Sequence, residues 1–360
     1  MPKIEKIIYQ SKKSLPKSFF SIPSKIYSGL GFTPEETREE VEDLFELKSK
    51  DHDMVLYTDH QNLRLVGIFP KVGATALFGY WETVEAATEL NKEAFWLLQA
   101  DAIAYEKTSL TGPLHFNTFH RYRLRLGETP SWKIFDREPV NPIYYPQILG
   151  DLDFRKTLTY ESRRIPASEI RNIYRDKKKF VQGIEELPFT IIPLNPENWK
   201  NYEEEIYELV ESIFNANPGY KTIDPAEFKL LYNLQFSEKL CPYTASLFKD
   251  STTGKLVALT FCHPNYKSIQ EEITGTPSFK RDFPKLKNPT MLAKSSGVHP
   301  DYRKMNLMNY SGAYVMLSFR ELYEDTIFCL MKTDNYSRHF TDGIACEKAF
   351  YGLFEKHLGQ

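Results

Sequence analysis

The chain repeats itself. In the first half, alternating apolar and polar residues mark strands at Met54–Thr58 and Leu63–Phe69 around the polar turn Asp59–Asn62. A strand at Thr75–Trp81, a helix at about Val84–Gln99 and a strand at Ala102–Lys107 follow; the helix carries Ala87, Leu90, Ala94, Leu97 and Leu98 on one face. The second half returns the same order. Strands Thr244–Lys249 and Leu256–Cys262 flank the turn Asp250–Gly254, then come strand 291–298, a helix from about 308 to 323 and strand Thr326–Lys332. Both hairpins run into a proline, in Phe69-Pro70 and in Phe261-Cys262-His263-Pro264, and both copies leave through Lys-Thr, at Lys107-Thr108 and Lys332-Thr333. Such self-similarity means a duplicated α/β unit and two domains of like topology. The boundary falls near residues 160–185, giving 1–162, a connector at 163–184, and 185–360.

The flanking stretches are less regular. Residues 1–32, rich in Lys, Ser, Pro and Gly, read as an extended arm anchored by Phe19, Phe20, Ile22 and Tyr27. Thr33-Pro34-Glu35-Glu36 reads as a capping box opening a helix to about Ser49. Residues 112–154 are loop-rich, and 163–179, with seven basic and two acidic side chains, read as a solvated connector helix. A strand at Pro188–Leu194 leads into Asn195-Pro196, which caps a helix bearing Trp199, Tyr202, Ile206, Leu209, Val210, Ile213 and Phe214 on one face.

Charge excludes some functions. The 46 basic and 48 acidic residues leave a net charge of −2, which argues against a general nucleic-acid or membrane-surface protein. No apolar run is long enough for a membrane span, and MPKIEKIIYQSKK lacks the apolar core of a secretory signal, so a cytoplasmic protein is expected. Cys241, Cys262, Cys329 and Cys346 show no paired spacing and read as reduced thiols; no metal site is expected from the histidines.

The two copies differ at one place. Trp81-Glu82-Thr83 runs straight from strand to helix, whereas the second copy inserts Pro300-Asp301-Tyr302-Arg303 before its helix. A strand that turns through a loop into a helix start leaves several N–H groups pointing one way, a nest for phosphate oxygens. Val298-His-Pro300-Asp-Tyr302-Arg303 resembles the acyl-CoA pyrophosphate loop of the GNAT acyltransferase superfamily, which reads V-x-P-x-[YWH]-[QR]-x-x-G-x-[GA]. Asn306 and Met308 stand where that pattern has glycine, and glycine or alanine.

The resemblance implies two tandem GNAT-like domains, each a mixed, largely antiparallel sheet with splayed strands and flanking helices, an α/β fold in which only the second copy carries the loop. It implies that pantetheine runs along strand 291–298 like an added strand, with Gly297 and Val298 meeting it. Arg303 falls on the Gln/Arg position, Lys304, Met305, Asn306, Leu307 and Met308 supply N–H groups to the pyrophosphate, and Asn335 matches an Asn beside the CoA sulfur. Acetyl-CoA or another acyl-CoA is the implied co-substrate, with a thioester oxygen accepting an N–H near Gly297 or Val298. Direct attack by an amine also needs a proton for the departing thiolate. Phe340 falls where many relatives have a tyrosine, which leaves Tyr336 or Tyr351 as the acid. Glu272, with Glu271 beside it, is the candidate base. His299 reads as structural.

The implied activity is acyl transfer, most simply N-acetylation, to a small-molecule or peptide amine in a cleft between the halves walled by 263–290, with no nucleic-acid or membrane partner. Two other readings stand beside it. One is a non-catalytic scaffold with a decayed loop; the other is a peptidyltransferase using aminoacyl-tRNA, for which 163–179 is the only basic candidate surface.

Overall fold

The computed structural model describes residues 3–12, 15–30, 36–173, 182–215 and 222–359. It divides into two compact units: Met1–Thr129 with Arg137–Tyr160 and Ala349–Gln360, and Pro130–Asp136 with Glu161–Lys348. Two segments therefore leave the half of the sequence in which they lie. Pro130–Asp136 joins the second unit and the chain's last residues join the first.

In the first unit, strands β1 (Glu5–Ile8), β2 (His52–Thr58), β3 (Leu63–Pro70) and β4 (Thr75–Thr83) form an antiparallel run. β5 (Ser109–Gly112) then lies parallel to β4, and β13 (Glu347–His357) closes the order antiparallel to β5, with β6 (Leu124–Leu126) also on β13. β3 is buried along its whole length because the sheet is covered on both faces. Leu63, Leu65 and Phe69 pack on one side with Phe78, Phe95, Leu98 and Tyr145, while Val66 and Ile68 pack on the other with Phe19, Phe45 and Tyr80. Each such side chain contributes about 1.5–3 kcal/mol of burial.

The second unit repeats the plan. β8 (Phe189–Pro193), β9 (Ser246–Asp250), β10 (Leu256–Pro264) and β11 (Thr290–Val298) are antiparallel, and β12 (Asp325–Lys332) is parallel to β11. β7 (Arg155–Pro166), whose part from Glu161 lies in this unit, stands next to β12. The duplication read from the sequence is thus present strand for strand, with one exchange. The sixth strand of the first order is the C-terminal one, and the sixth of the second comes from mid-chain.

Local expectations change in four places. The arm at 1–32 contains β1 and a helix, Lys17–Tyr27, whose Phe19, Ile22, Pro23 and Tyr27 recur at helical spacing on the buried side. Thr33, Pro34 and Glu35 lie outside the described residues; the helix Arg38–Lys48 is capped instead by Thr37, paired reciprocally with Glu40. Ala102 continues the helix Thr88–Ala104 rather than forming a strand, since it sits four residues after buried Leu98 on the same face. Of the expected connector helix, 163–166 is the end of β7, while Ala167–Ile173 and residues 182–184 are helical; 174–181 lie outside the described residues.

Candidate functional site

β11 pairs with β12 only from Thr290 to Ala293, against Asp325 to Phe328. From Lys294 onwards it no longer has β12 on its other edge, while Ser295 to Val298 keep their partners on β10, so the two parallel strands splay apart. The pairing with β10 slips by one at the same point: Cys262 faces Ala293 and Phe261 faces Ser295, leaving Lys294 as the extra residue of a bulge. The vertex of the splay and the bulge therefore coincide. Beyond them lies an edge of backbone N–H and C=O groups that can take up another extended chain.

The far end of that edge is built tightly. A Cβ on Gly297 would come within 2.3 Å of Ile213 on the helix Pro196–Phe214, so only glycine lets helix and strand approach this closely. Val298 and Leu307 are buried together with Phe189, Phe248, Val257 and Ala258. Between them runs the short helix Pro300–Met305. His299 Nδ1 accepts the Asp301 N–H at 3.3 Å, the structural role expected for it. The Tyr302 hydroxyl donates to Asp250 at 2.8 Å. Arg303 donates to the carbonyls of Val298, at 3.4 Å, and Ile213, at 3.2 Å, so its guanidinium pins the loop to the neighbouring helix.

Asn306 then takes the left-handed conformation, φ 57°, and the helix Leu307–Leu322 begins. Asparagine is among the few non-glycine residues that adopt this region readily, which is how the loop turns without the expected glycine. Its side-chain oxygen is held by the Asn309 amide and does not cap the helix, so the first N–H groups have no side-chain acceptor from the N-cap position. Met308 is half-buried; its sulfur accepts from Ser296 Oγ at 3.6 Å, which lays the side chain against the outer half of β11. Lys304 and Met305 are exposed.

The splay of the first unit is organised otherwise. β4 leaves β5 after Leu77. Leu114 N–H donates to the Phe78 carbonyl at 2.7 Å, and Tyr80 N–H donates to His115 Nε2 at 3.0 Å. A Cβ on Gly79 would touch Leu114 O and His115 at 2.9 Å. The chain's own 114–115 segment fills the opening, so the difference expected between the copies is larger than a loop insertion.

The remaining site candidates are scattered. Asn335 follows β12, on the other lip of the splay, with its N–H on the Lys332 carbonyl at 3.0 Å. Tyr336 opens the short helix Tyr336–Thr341, and its side chain lies outside what the structure describes. Glu271 and Glu272 are exposed at the end of the short helix Tyr266–Glu272. Tyr351 belongs to the first unit on β13, fully buried with its hydroxyl on Glu138, rather than to the unit with the phosphate loop.

A cluster that the sequence did not announce surrounds the vertex. Phe135, from the segment Pro130–Asp136, is buried against Leu292, Ile327 and Cys329. Asp136 follows it. Lys239 Nζ lies 2.7 Å and His263 Nε2 3.3 Å from one Asp136 carboxylate oxygen, and Lys294 Nζ donates to the Asp136 backbone carbonyl at 2.7 Å. Burial works to raise the Asp136 carboxyl pKa, but Lys239, His263 and Lys294 outweigh it and hold the group well below the usual carboxylate range. Burial and Lys239 together lower the pKa of His263. The one sequence signal was a lysine in the middle of an otherwise apolar and small-residue strand.

No protein-family model matches the sequence, and no curated protein is similar to it. Solved structures are. A tandem GNAT protein from the clavulanic acid biosynthesis pathway aligns over 99% of both chains, with TM-score 0.53 and 9% identity. A probable N-acyltransferase from Enterococcus faecalis aligns over 99% of this chain and 73% of that one, with TM-score 0.55 and 11% identity. The glucosamine N-acetyltransferase region of a fungal multi-domain β-N-acetylglucosaminidase matches 98% of this chain and 38% of that one, with TM-score 0.52 and 10% identity. Two units with one strand order, each with a parallel pair that splays, and the tandem neighbour matched end to end carry one conclusion: this chain has the tandem GNAT fold.

Proposed function

We propose that the second unit binds acyl-CoA and transfers its acyl group to an amine. The observation that carries this is the open edge of β11 from Lys294 to Val298, which leads directly to an N-terminal helix turn without a side-chain cap. Pantetheine carries two amides, so it can exchange hydrogen bonds with such an edge as a strand would. Its pyrophosphate then falls among the N–H groups of Lys304 to Leu307, at the positive end of the helix dipole and beside the exposed Lys304 ammonium. Arg303 serves this reading by fixing the loop. The solved N-acyltransferases of this fold support the same chemistry, and the first unit, its splay filled by His115, is a scaffold.

With the pyrophosphate at the loop, the thioester end comes to the vertex. There the acceptor nitrogen attacks the carbonyl carbon directly, and backbone N–H groups freed by the splay steady the developing oxyanion. The acceptor is an amine on a small molecule or a peptide.

Thermal unfolding with and without CoA tests the reading. CoA at a hundredfold excess over its dissociation constant should stabilise the protein by about 2.7 kcal/mol. Lys304→Glu, at an exposed residue, should weaken binding about tenfold, or ~1.4 kcal/mol. An unchanged melting temperature at millimolar CoA in folded protein would refute it.

A further inference from the structure

We infer that Lys294 supplies the cation that receives the leaving sulfur of the thioester, an inference that rests on the acyl-CoA reading of the splay. Three observations converge on this residue. It is the first residue of β11 beyond the pairing with β12, so it stands where the splay opens. It is the unpaired residue of the bulge, so its side chain is set apart from the ladder's regular alternation. Its ammonium is fixed rather than free to wander, donating to the Asp136 carbonyl at 2.7 Å and lying 4.9 Å from the centre of the Phe135 ring.

Direction along the strand follows from the phosphate end. A ligand anchored at 304–307 and laid along the open edge from Val298 towards Lys294 brings its sulfur to the vertex and no further, because β12 closes the edge at Ala293. Around that point the charges are Asp136 against Lys239 and Lys294, with the His263 ring beside them. Because Lys239 lies on the Asp136 carboxylate at 2.7 Å, that carboxylate is matched already and the positive charge of Lys294 remains available to an arriving anion.

The step balances without another reagent. The lone pair of the acceptor nitrogen forms the C–N bond, and the C–S electron pair leaves on sulfur. Lys294 donates a hydrogen bond to the thiolate and passes it a proton. The proton shed by the acceptor nitrogen returns the lysine to its ammonium form through water. The products are the amide and CoA thiol.

The acceptor need not be known to test this. The thiolate of bound CoA is read by its ultraviolet absorbance across pH, with desulfo-CoA as the blank for the protein's own thiols. Wild-type protein should hold about tenfold more thiolate than free CoA at the same pH, as a cation within a few ångströms produces. Lys294→Met should abolish the enrichment, and Lys294→Arg should keep most of it. Asp136→Asn, which removes a nearby anion and leaves the backbone carbonyl that holds Lys294, should change it in the opposite sense, raising the thiolate fraction. Bound CoA whose thiolate fraction is indifferent to Lys294→Met and Asp136→Asn overturns this inference alone. If CoA does not bind at all, the acyl-CoA reading fails and the inference with it.

Discussion

His115 does inside the first unit what an incoming ligand is proposed to do in the second: it satisfies a strand edge that its neighbour has left. Its Nε2 accepts the Tyr80 N–H, and its ring stacks on Tyr80 with centroids 3.7 Å apart. An accepting ring must be neutral. Burial, aided by Arg121 and Arg64 and opposed by Glu36, pushes its pKa down to about 3. In the unfolded chain the ring takes up a proton below about pH 6.5, while in the fold it does not until about pH 3. Stability must therefore fall as pH drops through this window, by about 1.4 kcal/mol per pH unit. Glu36 acts in the same sense below pH 4.5: burial alone would raise it, but Arg64, His115 and Arg121 hold it at about 2. Glu82, raised by burial, acts in the opposite sense. Comparing denaturant unfolding of wild type and His115→Gln between pH 6 and 5 isolates the histidine: the variant's profile should be flatter by about 1.4 kcal/mol per unit. Parallel profiles would show that the ring carries no such linkage.

At the scale of elements, the site depends on one strand meeting one helix. Gly297→Ala should force β11 away from Ile213, costing about 1–3 kcal/mol of stability and shifting the edge that pantetheine would use. Equilibrium unfolding would register the loss; a fully stable variant would mean that Ile213 can step aside. β11, its loop and the helix after it were legible because their residues mark themselves: an apolar strand, a proline, a run into a helical period. The bulge at Lys294 was not, since one extra residue leaves no trace in a strand of small side chains. Nor was the role of Trp132–Asp136. Nothing in a loop's composition says which core its phenylalanine will enter, and Phe135 enters that of the other repeat. The helix Lys17–Tyr27 was hidden by its internal Pro23 and by serines that suggest an arm.

At the scale of the whole molecule, the repeats trade their closing strands. β5 takes β13 as its neighbour, with Phe354 to His357 against Gly112 to Ser109, and β12 takes β7. A chain ending before Glu347 should leave the first unit without its closing strand, and Leu353 and Phe354 missing from its two hydrophobic clusters. Limited proteolysis with mass mapping should show rapid cutting within 36–129 while 185–346 stays protected. A truncated chain equally resistant in both regions would mean that β13 is dispensable. Among the described residues no helix is long and apolar enough to cross a membrane.

The traded strand also sets a timetable for the ribosome. When residue 160 has been made, the rest of the first unit is already out of the exit tunnel or close to it, yet its sheet lacks β13, whose residues from Ala349 onwards belong to this unit. About 190 further residues must be translated first, roughly 10–40 s at ordinary elongation rates. Through that interval the nascent first repeat carries an open β5 edge, and β7 likewise waits for β12, the last strand of the second repeat to be made. Chaperone dependence should then follow translation speed: slowing elongation across 161–348 lengthens the exposure of the half that was made first.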